Sequence, residues 1–234
     1  MITRRAALAM ASLLAFDQAR ALPLMRISTL LDPDPATTIA TRVLREAYRR
    51  LGHDIEVLAM PGERSLLSAN AGETDGELYR RAGIERHYVN LMMVPVALQN
   101  YEIVAFSKNR QIVVNGWESL RPYKVGFVKG IKIIEENTAG MQTETVATLQ
   151  QAFTKLELGR SELILANRIS GLASLRLHAV SGVHLLQPPL AVFPVYHYLH
   201  KRHQALLPRL SAVLRELEQE RFIQRVQDEV LSEF

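Results

Sequence analysis

The chain has 234 residues, of which 48% are hydrophobic and 22% charged, with a formal net charge of +4 and no cysteine. Its basic pairs are scattered among acidic residues, which is no electrostatic footprint for nucleic acid, so we expect no nucleic-acid partner. The absence of cysteine excludes a disulfide framework and a lipid-anchored cysteine.

The N-terminus has the pattern of an export signal. Two arginines precede an apolar run over residues 6–16, and Ala19-Arg20-Ala21 fits a small-x-small cleavage site. A membrane span needs roughly 20 apolar residues, about twice the length of this run. We expect residues 1–21 to be removed, which lowers the net charge to +2 and leaves a free periplasmic protein. The paired arginines leave the export route open between the general and the twin-arginine pathway.

The first part of the mature chain alternates between strand and helix patterns. The predicted elements are a strand over residues 25–31, a helix over 36–51, a strand over 55–59, a helix over 63–71 and a strand over 75–78. This β-α-β-α-β order is the signature of a parallel sheet.

A second α/β unit follows an extended segment at residues 101–107 and a turn at Asn115-Gly116. Its predicted elements are a short helix over residues 117–121, a strand over 124–128, a helix from about 131, an amphipathic helix over 143–156, a strand over 163–166 and a helix over 169–177. This unit has the same alternation of strands and helices as the first.

Another extended run covers residues 192–199. Pro194 interrupts it, which favours an edge strand or a hinge over a central strand. Residues 204–234 have a helical pattern and are expected to pack on the first unit. Two segments crossing between two α/β units predict a hinged protein, with lobe 1 at residues 22–106, lobe 2 at 107–191, and a hinge return with C-terminal helices at 192–234.

Charge is concentrated at the end of the third predicted strand and just after it, where Glu77, Arg80, Arg81, Glu85 and Arg86 occur. Ligands of open α/β sheets bind in the crevice beyond the carboxyl ends of the strands, so this loop favours capture of an anion or polar solute. Arg64, at the start of the second predicted helix, belongs to the same charged set. The alternative is that Arg64 and Glu77 form a structural ion pair. Tyr101, on the first crossing segment, is a further cleft candidate.

Five local motifs, together with their order along the chain, indicate a protein family. They are Gly72-Glu73-Thr74-Asp75-Gly76, Glu85-Arg86, KVGFVKG at residues 124–130, LGRSEL at 158–163, and the closing helical pattern over 214–230. In this order they resemble bacterial periplasmic solute-binding proteins of family 3, which serve amino-acid ABC importers. The resemblance covers nearly the whole mature chain. It implies a type II periplasmic-binding-protein fold, with two α/β lobes joined by two hinge-crossing segments.

The same resemblance implies roles for several residues. Arg86 matches the arginine that holds the ligand's carboxylate through a bidentate grip. It lies one residue closer to the Asp-Gly turn than in the family pattern, and Arg80 is the alternative. Lys129 and Gly130 match the second-lobe position where a helix N-terminus offers free N–H groups to an anion. Asn167 stands where an aspartate commonly grips the ligand's ammonium, so this grip is weaker here.

The implied function is capture of a small anionic or amino-acid-like solute by hinge closure, as a monomer that serves an ABC importer. One alternative is a periplasmic sensory or accessory protein that acts with a membrane sensor. Another is a small-molecule dehydratase or lyase on the same fold, with Glu77 as the general acid.

Otherwise the sequence predicts no enzyme, cofactor or metal site. It contains no Gly-x-Ser-x-Gly, no His-Glu-x-x-His and no phosphate-cradling glycine loop. His197, His200 and His203 recur every three residues, but on a strand this spacing points the first two to opposite faces.

Overall fold

The first lobe is built from three parallel strands and two helices in a computed structural model that describes residues 22–31 and 34–233. The predicted signal peptide, as well as Asp32 and Pro33, lies outside the described residues. The elements are β1 (Leu24–Leu30), α1 (Pro35–Arg50), β2 (Asp54–Met60), α2 (Gly62–Ala71) and β3 (Gly76–Arg81). The strands lie side by side in the order β2-β1-β3, so the predicted parallel sheet is confirmed.

Helix α1 shows how the local sequence determines where a helix of this lobe begins and which of its faces is buried. The Asp34 side chain caps its N-terminus by accepting a hydrogen bond from the Thr37 N–H at 2.7 Å, and a proline fills the first helical position. Ile39, Val43 and Leu44 share one face at helical spacing and are completely buried. Burial of each such side chain stabilises the fold by about 1.5–3 kcal/mol.

The second lobe repeats the alternation of strands and helices. Its elements are β5 (Val125–Val128), α3 (Lys132–Asn137), β6 (Thr143–Val146), α4 (Leu149–Glu157), β7 (Leu163–Asn167) and α5 (Arg168–Leu177). The prediction of one helix over residues 143–156 is wrong at its start. The Thr-Glu-Thr-Val segment is strand β6, which pairs in parallel with β5, and the Thr148 side chain then caps α4. β-Branched residues favour strand structure, and this segment lies beside β5, which offers it a pairing partner.

Two long antiparallel strands, β4 (Leu91–Ser107) and β8 (His184–His200), run through both lobes. In lobe 1 β8 pairs with β3, and in lobe 2 β4 pairs with β7. The prediction of an edge strand around Pro194 is wrong, because β8 lies between β3 and β4, whereas the hinge alternative agrees with the place of Pro194 at the crossing between the lobes. Pro194 is accommodated since the last β3 partner is Val195, so Pro194 pairs only with Asn100 of β4 at the crossing.

The C-terminal helices α6 (Leu207–Gln219) and α7 (Phe222–Ser232) pack on α1, as predicted. Leu210, Leu214 and Val230 are completely buried there. Within residues 22–31 and 34–233, none of the helices has the length and apolar character needed to cross a membrane.

Candidate functional site

The two lobes meet at a pair of glycines. Gly62 begins α2 in lobe 1, and Gly130 follows β5 in lobe 2. A methyl group built on Gly130 would lie 2.7 Å from the Gly62 Cα, and Gly130 has φ of +95°. Only glycine allows this backbone and this approach. The lobes are therefore closed against each other.

A buried ion pair lies beside this contact. Glu77 is completely buried and Arg80 is 8% exposed. The Arg80 Nε donates to Glu77 Oε1 at 2.7 Å, and Arg80 Nη2 lies 2.6 Å from the same oxygen. The Ser28 hydroxyl donates to Glu77 Oε2 at 2.8 Å, and the Ser65 hydroxyl donates to that oxygen as well. Both carboxylate oxygens are thus occupied by protein donors.

Residues three apart on a regular strand point to opposite faces, so Glu77 and Arg80 would not ordinarily meet. The pairing register of β3 with β8 shifts between them, which marks a β-bulge. The bulge brings both side chains to the same side of the strand.

Arg80 also spans the cleft between the lobes. Its guanidinium donates to the carbonyl oxygens of Gly62 and Gly130, each at 3.4 Å. The proposed pairing of Arg64 with Glu77 is wrong, because Arg80 is the partner of Glu77. Arg64 is exposed and makes no ion pair with any described residue. We call the Glu77–Arg80 pair and these two carbonyls the interlobe clasp.

Three further polar contacts cross the rim of the cleft. Lys132 of α3 pairs with Glu63 of α2, and Arg81 of β3 pairs with Glu136 of α3. The hydrogen bond from Lys132 holds the pKa of Glu63 below its usual value. In addition, the Ser170 hydroxyl donates to Asp34 Oδ2 at 2.5 Å. Because the lobes are joined along more than one edge, this form is the closed one.

An aromatic cavity lies between the lobes next to the clasp. Tyr79, Tyr101 and Phe193 form one wall, with ring centroids 6.1 Å and 5.8 Å apart. Ile131 and Ile133 from lobe 2 contribute to the lining. The cavity volume is about 40 Å³. That volume holds only a few water molecules. We call this space the aromatic cavity.

Three cationic residues, Arg80, Arg81 and Lys132, line the aromatic cavity together with its apolar side chains. The Arg81 Nε is buried and has no hydrogen-bond partner. A buried donor without an acceptor is rare in folded proteins and calls for an explanation such as an absent ligand or water. Sequence reasoning placed Arg81 in the charged loop without choosing it as a ligand-binding residue, and it missed Tyr79 and Phe193. The predicted third strand ended at Leu78, so nothing placed Tyr79 or Arg81 on a strand facing a cleft.

The eight predicted site residues do not converge on one place. Arg80 and Tyr101 line the aromatic cavity, and Glu77 lies in the clasp. Arg86 is exposed and lines a neighbouring surface depression. Arg64 and Lys129 line a groove with Val128 and Val146, which is a different part of the lobe boundary.

The two remaining predicted residues are engaged within lobe 2. Gly130 donates its N–H to Glu135 Oε1 at 2.7 Å, and its carbonyl accepts from Arg80. Asn167 is buried and caps α5 by accepting from the N–H groups of Ile169 and Ser170 at 3.0 and 3.3 Å. The Gly130 N–H and the Asn167 oxygen thus already have partners within the protein.

His197 is a core residue. Its Nε2 lies 2.9 Å from the Tyr48 hydroxyl, and its Nδ1 lies 2.8 Å from the Glu77 carbonyl oxygen. Burial lowers the pKa of His197 to about 4, so the ring is neutral near pH 7. Across the part of the chain that the structure describes, no group of three His, Asp or Glu side chains is placed to hold a metal ion.

Two α/β lobes, two crossing strands and a cleft between the lobes define a type II periplasmic-binding-protein fold, as the resemblance to solute-binding protein family 3 implies. The fold matches a histidine kinase sensor domain with similarity to periplasmic binding proteins, with a TM-score of 0.77 and 15% identity over 89% of this chain and 96% of that one. It also matches the substrate-binding protein of an amino acid ABC transporter, with a TM-score of 0.73 and 14% identity over 88% of this chain and 98% of that one.

Similarity in sequence alone is more distant. An uncharacterized protein of Shewanella oneidensis is 25% identical over 203 residues, which cover 83% of this chain and 76% of that protein. No protein-family model matches the chain. At 14–15% identity the structural likeness establishes the fold alone.

Proposed function

We propose that the chain is exported to the periplasm and captures a small solute between its lobes by hinge closure, on behalf of an ABC importer. The observation that carries this proposal is the aromatic cavity, which lies between two lobes joined by only two crossing strands. Hinge closure around a ligand is a common mode of action for such an arrangement. The likeness to an amino-acid transporter's binding protein supports the importer as the partner.

Thermal unfolding of residues 22–234 against a panel of solutes tests the proposal. The panel contains amino acids, dicarboxylates, other organic acids and cationic amines. A ligand at a hundred times its dissociation constant stabilises the folded state by about 2.7 kcal/mol. We expect a shift with one class of solute. The absence of any shift, in protein shown to carry no co-purified ligand, would count against solute capture.

Variants of the two predicted carboxylate-binding arginines locate the ligand. Each shift is compared with the unfolding of the same variant without solute. If the ligand lies in the aromatic cavity, Arg80→Ala reduces the shift and Arg86→Ala does not. The opposite result would place the ligand in the depression beside Arg86.

The second candidate is a sensory or accessory protein, and the likeness to a histidine kinase sensor domain favours it. Cross-linking in intact cells separates the two, since an importer permease and a membrane sensor are different partners. An enzyme is less well supported, because both oxygens of Glu77 accept hydrogen bonds and its side chain is inaccessible. A Glu77→Gln variant that binds a solute but no longer converts it would establish the enzyme instead.

A further inference from the structure

We infer that the ligand is a small apolar monocarboxylate without an ammonium group, bound in the aromatic cavity with its carboxylate on Arg81. This inference rests on the proposed function and narrows it to a class of ligand. It departs from the amino-acid-like solute that the sequence resemblance implies.

The walls of the cavity select an apolar body. Tyr79, Tyr101 and Phe193 lie on one side, and Ile131 and Ile133 come from the other lobe. The Tyr79 hydroxyl already lies 3.2 Å from the Thr37 hydroxyl. Burial raises the pKa of Tyr79, so its ring is neutral and offers a mainly apolar surface. Against the side chains of Phe193, Ile131 and Ile133 a polar ligand body would lose water without gaining a hydrogen-bond partner.

The charges around the cavity select an anion. Its lining includes Arg80, Arg81 and Lys132 but no aspartate or glutamate among the described residues. Glu77 neutralises Arg80, and Glu63 pairs with Lys132. Arg81 pairs with Glu136 only through Nη2, which leaves its buried Nε without an acceptor. A carboxylate oxygen supplies the acceptor that Arg81 Nε lacks.

The same charges disfavour an ammonium group. Such a group would enter a space lined by Arg80, Arg81 and Lys132, whose acidic partners lie outside the lining, and among the described residues it would meet no acidic side chain there to hold it. Asp34 acts electrostatically on Tyr79, but its carboxylate accepts hydrogen bonds from the Thr37 N–H and the Ser170 hydroxyl. Asn167, at the position implied for the ammonium grip, caps α5 instead. An α-amino acid is therefore penalised relative to the acid with the same skeleton.

The cavity is small in this closed form. Its volume of about 40 Å³ is room for a few water molecules, so the lobes separate somewhat to admit a ligand of this class. The contacts from Arg80 to the Gly62 and Gly130 carbonyls, at 3.4 Å, are long and yield readily. The ligand then lies between the aromatic wall and the two isoleucines.

Matched ligand pairs test this inference by isothermal titration calorimetry on residues 22–234. The pairs are 3-phenylpropionate with phenylalanine, and 4-methylpentanoate with leucine, which differ in the ammonium group alone. A third comparison uses 3-phenylpropanamide, which lacks the negative charge. We expect at least one carboxylate to bind at least tenfold more tightly than its amino acid and its amide.

Arg81→Met tests the role of Arg81, and Arg110→Met, an exposed arginine in the loop after β4, is the control. We expect Arg81→Met to weaken carboxylate binding at least tenfold and to leave the amide unchanged, a difference that a purely structural role would not produce. Arg110→Met should bind as the unaltered protein does.

The outcomes separate the two proposals. Tighter binding of an amino acid than of its carboxylate would overturn the ligand class while solute capture stands. Equal binding of acid and amide, or full carboxylate affinity in Arg81→Met, would overturn the role of Arg81. If folded, ligand-free protein binds no solute of the wider panel either, both proposals fail.

Discussion

Replacing Arg80 by methionine tests whether the clasp is structural. The substitution removes the guanidinium that contacts Glu77 at 2.6–2.7 Å and keeps most of the side-chain volume. Among the residues that the structure describes, the completely buried Glu77 side chain then retains the hydroxyls of Ser28 and Ser65 as its partners. Breaking a buried pair by removing one partner costs about 3–5 kcal/mol, because an uncompensated charge stays buried. We expect Arg80→Met to lower the free energy of unfolding by about that amount.

A double variant separates two costs, which are the lost attraction between Glu77 and Arg80 and the free energy of leaving one charge buried without a partner. Glu77→Gln alone leaves Arg80 without its carboxylate, whereas Glu77→Gln with Arg80→Met removes both charges. We expect the double variant to be more stable than Arg80→Met, since replacing a whole buried pair is often close to neutral. The coupling energy between the two positions should be about 2–3 kcal/mol, at the upper end of the range for residues in contact.

Urea unfolding of the ligand-free protein, followed by circular dichroism, measures these differences. Arg64→Met is the matched control, because Arg64 is exposed and makes no ion pair with any described residue. Its cost should stay within about 0.5 kcal/mol. An Arg80→Met protein as stable as this control would refute the clasp and return Arg80 to the role of a free carboxylate receptor. Additive single costs would equally refute the coupling.

Three further predictions concern the glycine contact between the lobes, the buried His197 and the ion pair of Lys132. Gly130→Ala should keep the lobes apart, since its methyl would lie 2.7 Å from the Gly62 Cα. X-ray scattering should then give a larger radius of gyration for this variant. Gly140→Ala controls for backbone strain, because Gly140 has φ of +76° but a methyl there would have nothing within 4 Å. His197 has its pKa lowered to about 4, so between pH 6.5 and 5 the unfolded chain binds a proton that the folded chain does not. Stability should therefore fall by about 2 kcal/mol as the pH falls from 6.5 to 5, which is above the range where carboxyls with a lowered pKa such as Glu46 contribute. His197→Gln should flatten this slope in urea unfolding, apart from a smaller contribution of His200. Lys132→Met removes a partly exposed ion pair with Glu63 and should lower the free energy of unfolding by no more than about 1 kcal/mol, and by less at high salt. A loss above about 2 kcal/mol would show that this pair is part of the core.

The order of the elements was predictable because burial imposes a strong period. In α1, Ile39, Val43 and Leu44 recur at helical spacing, and all three are buried as the period requires. The start of α4 was not predictable in this way. A four-residue strand such as β6 is shorter than any reliable period, and its identity depends on the neighbouring β5, to which only the folded chain brings it.

The partner of Glu77 was hidden for a different reason. A bulge in β3 is a local irregularity that depends on pairing with β8, which lies more than a hundred residues further along the chain. Without the bulge, the spacing of Glu77 and Arg80 argues against contact, and Arg64 was the remaining basic candidate. Two residues placed by resemblance alone lie next to lobe-two strands, since Asn167 ends β7 and Lys129 follows β5. Their local partners could not be read from position.

The clasp changes what a ligand has to contribute to closure. In this protein Arg80 of lobe 1 already contacts the Gly130 carbonyl oxygen of lobe 2 at 3.4 Å, which is long for a hydrogen bond and therefore weak. Moving a two-state equilibrium from 1:99 to 99:1 requires about 5.5 kcal/mol of differential binding. This weak contact between the lobes reduces the differential binding energy that a ligand has to supply, without removing the need for it. Since the charge of Arg80 is neutralised by Glu77, an anionic ligand gains its differential affinity from Arg81 and from the aromatic wall, which meets the isoleucines of lobe 2 only on closure.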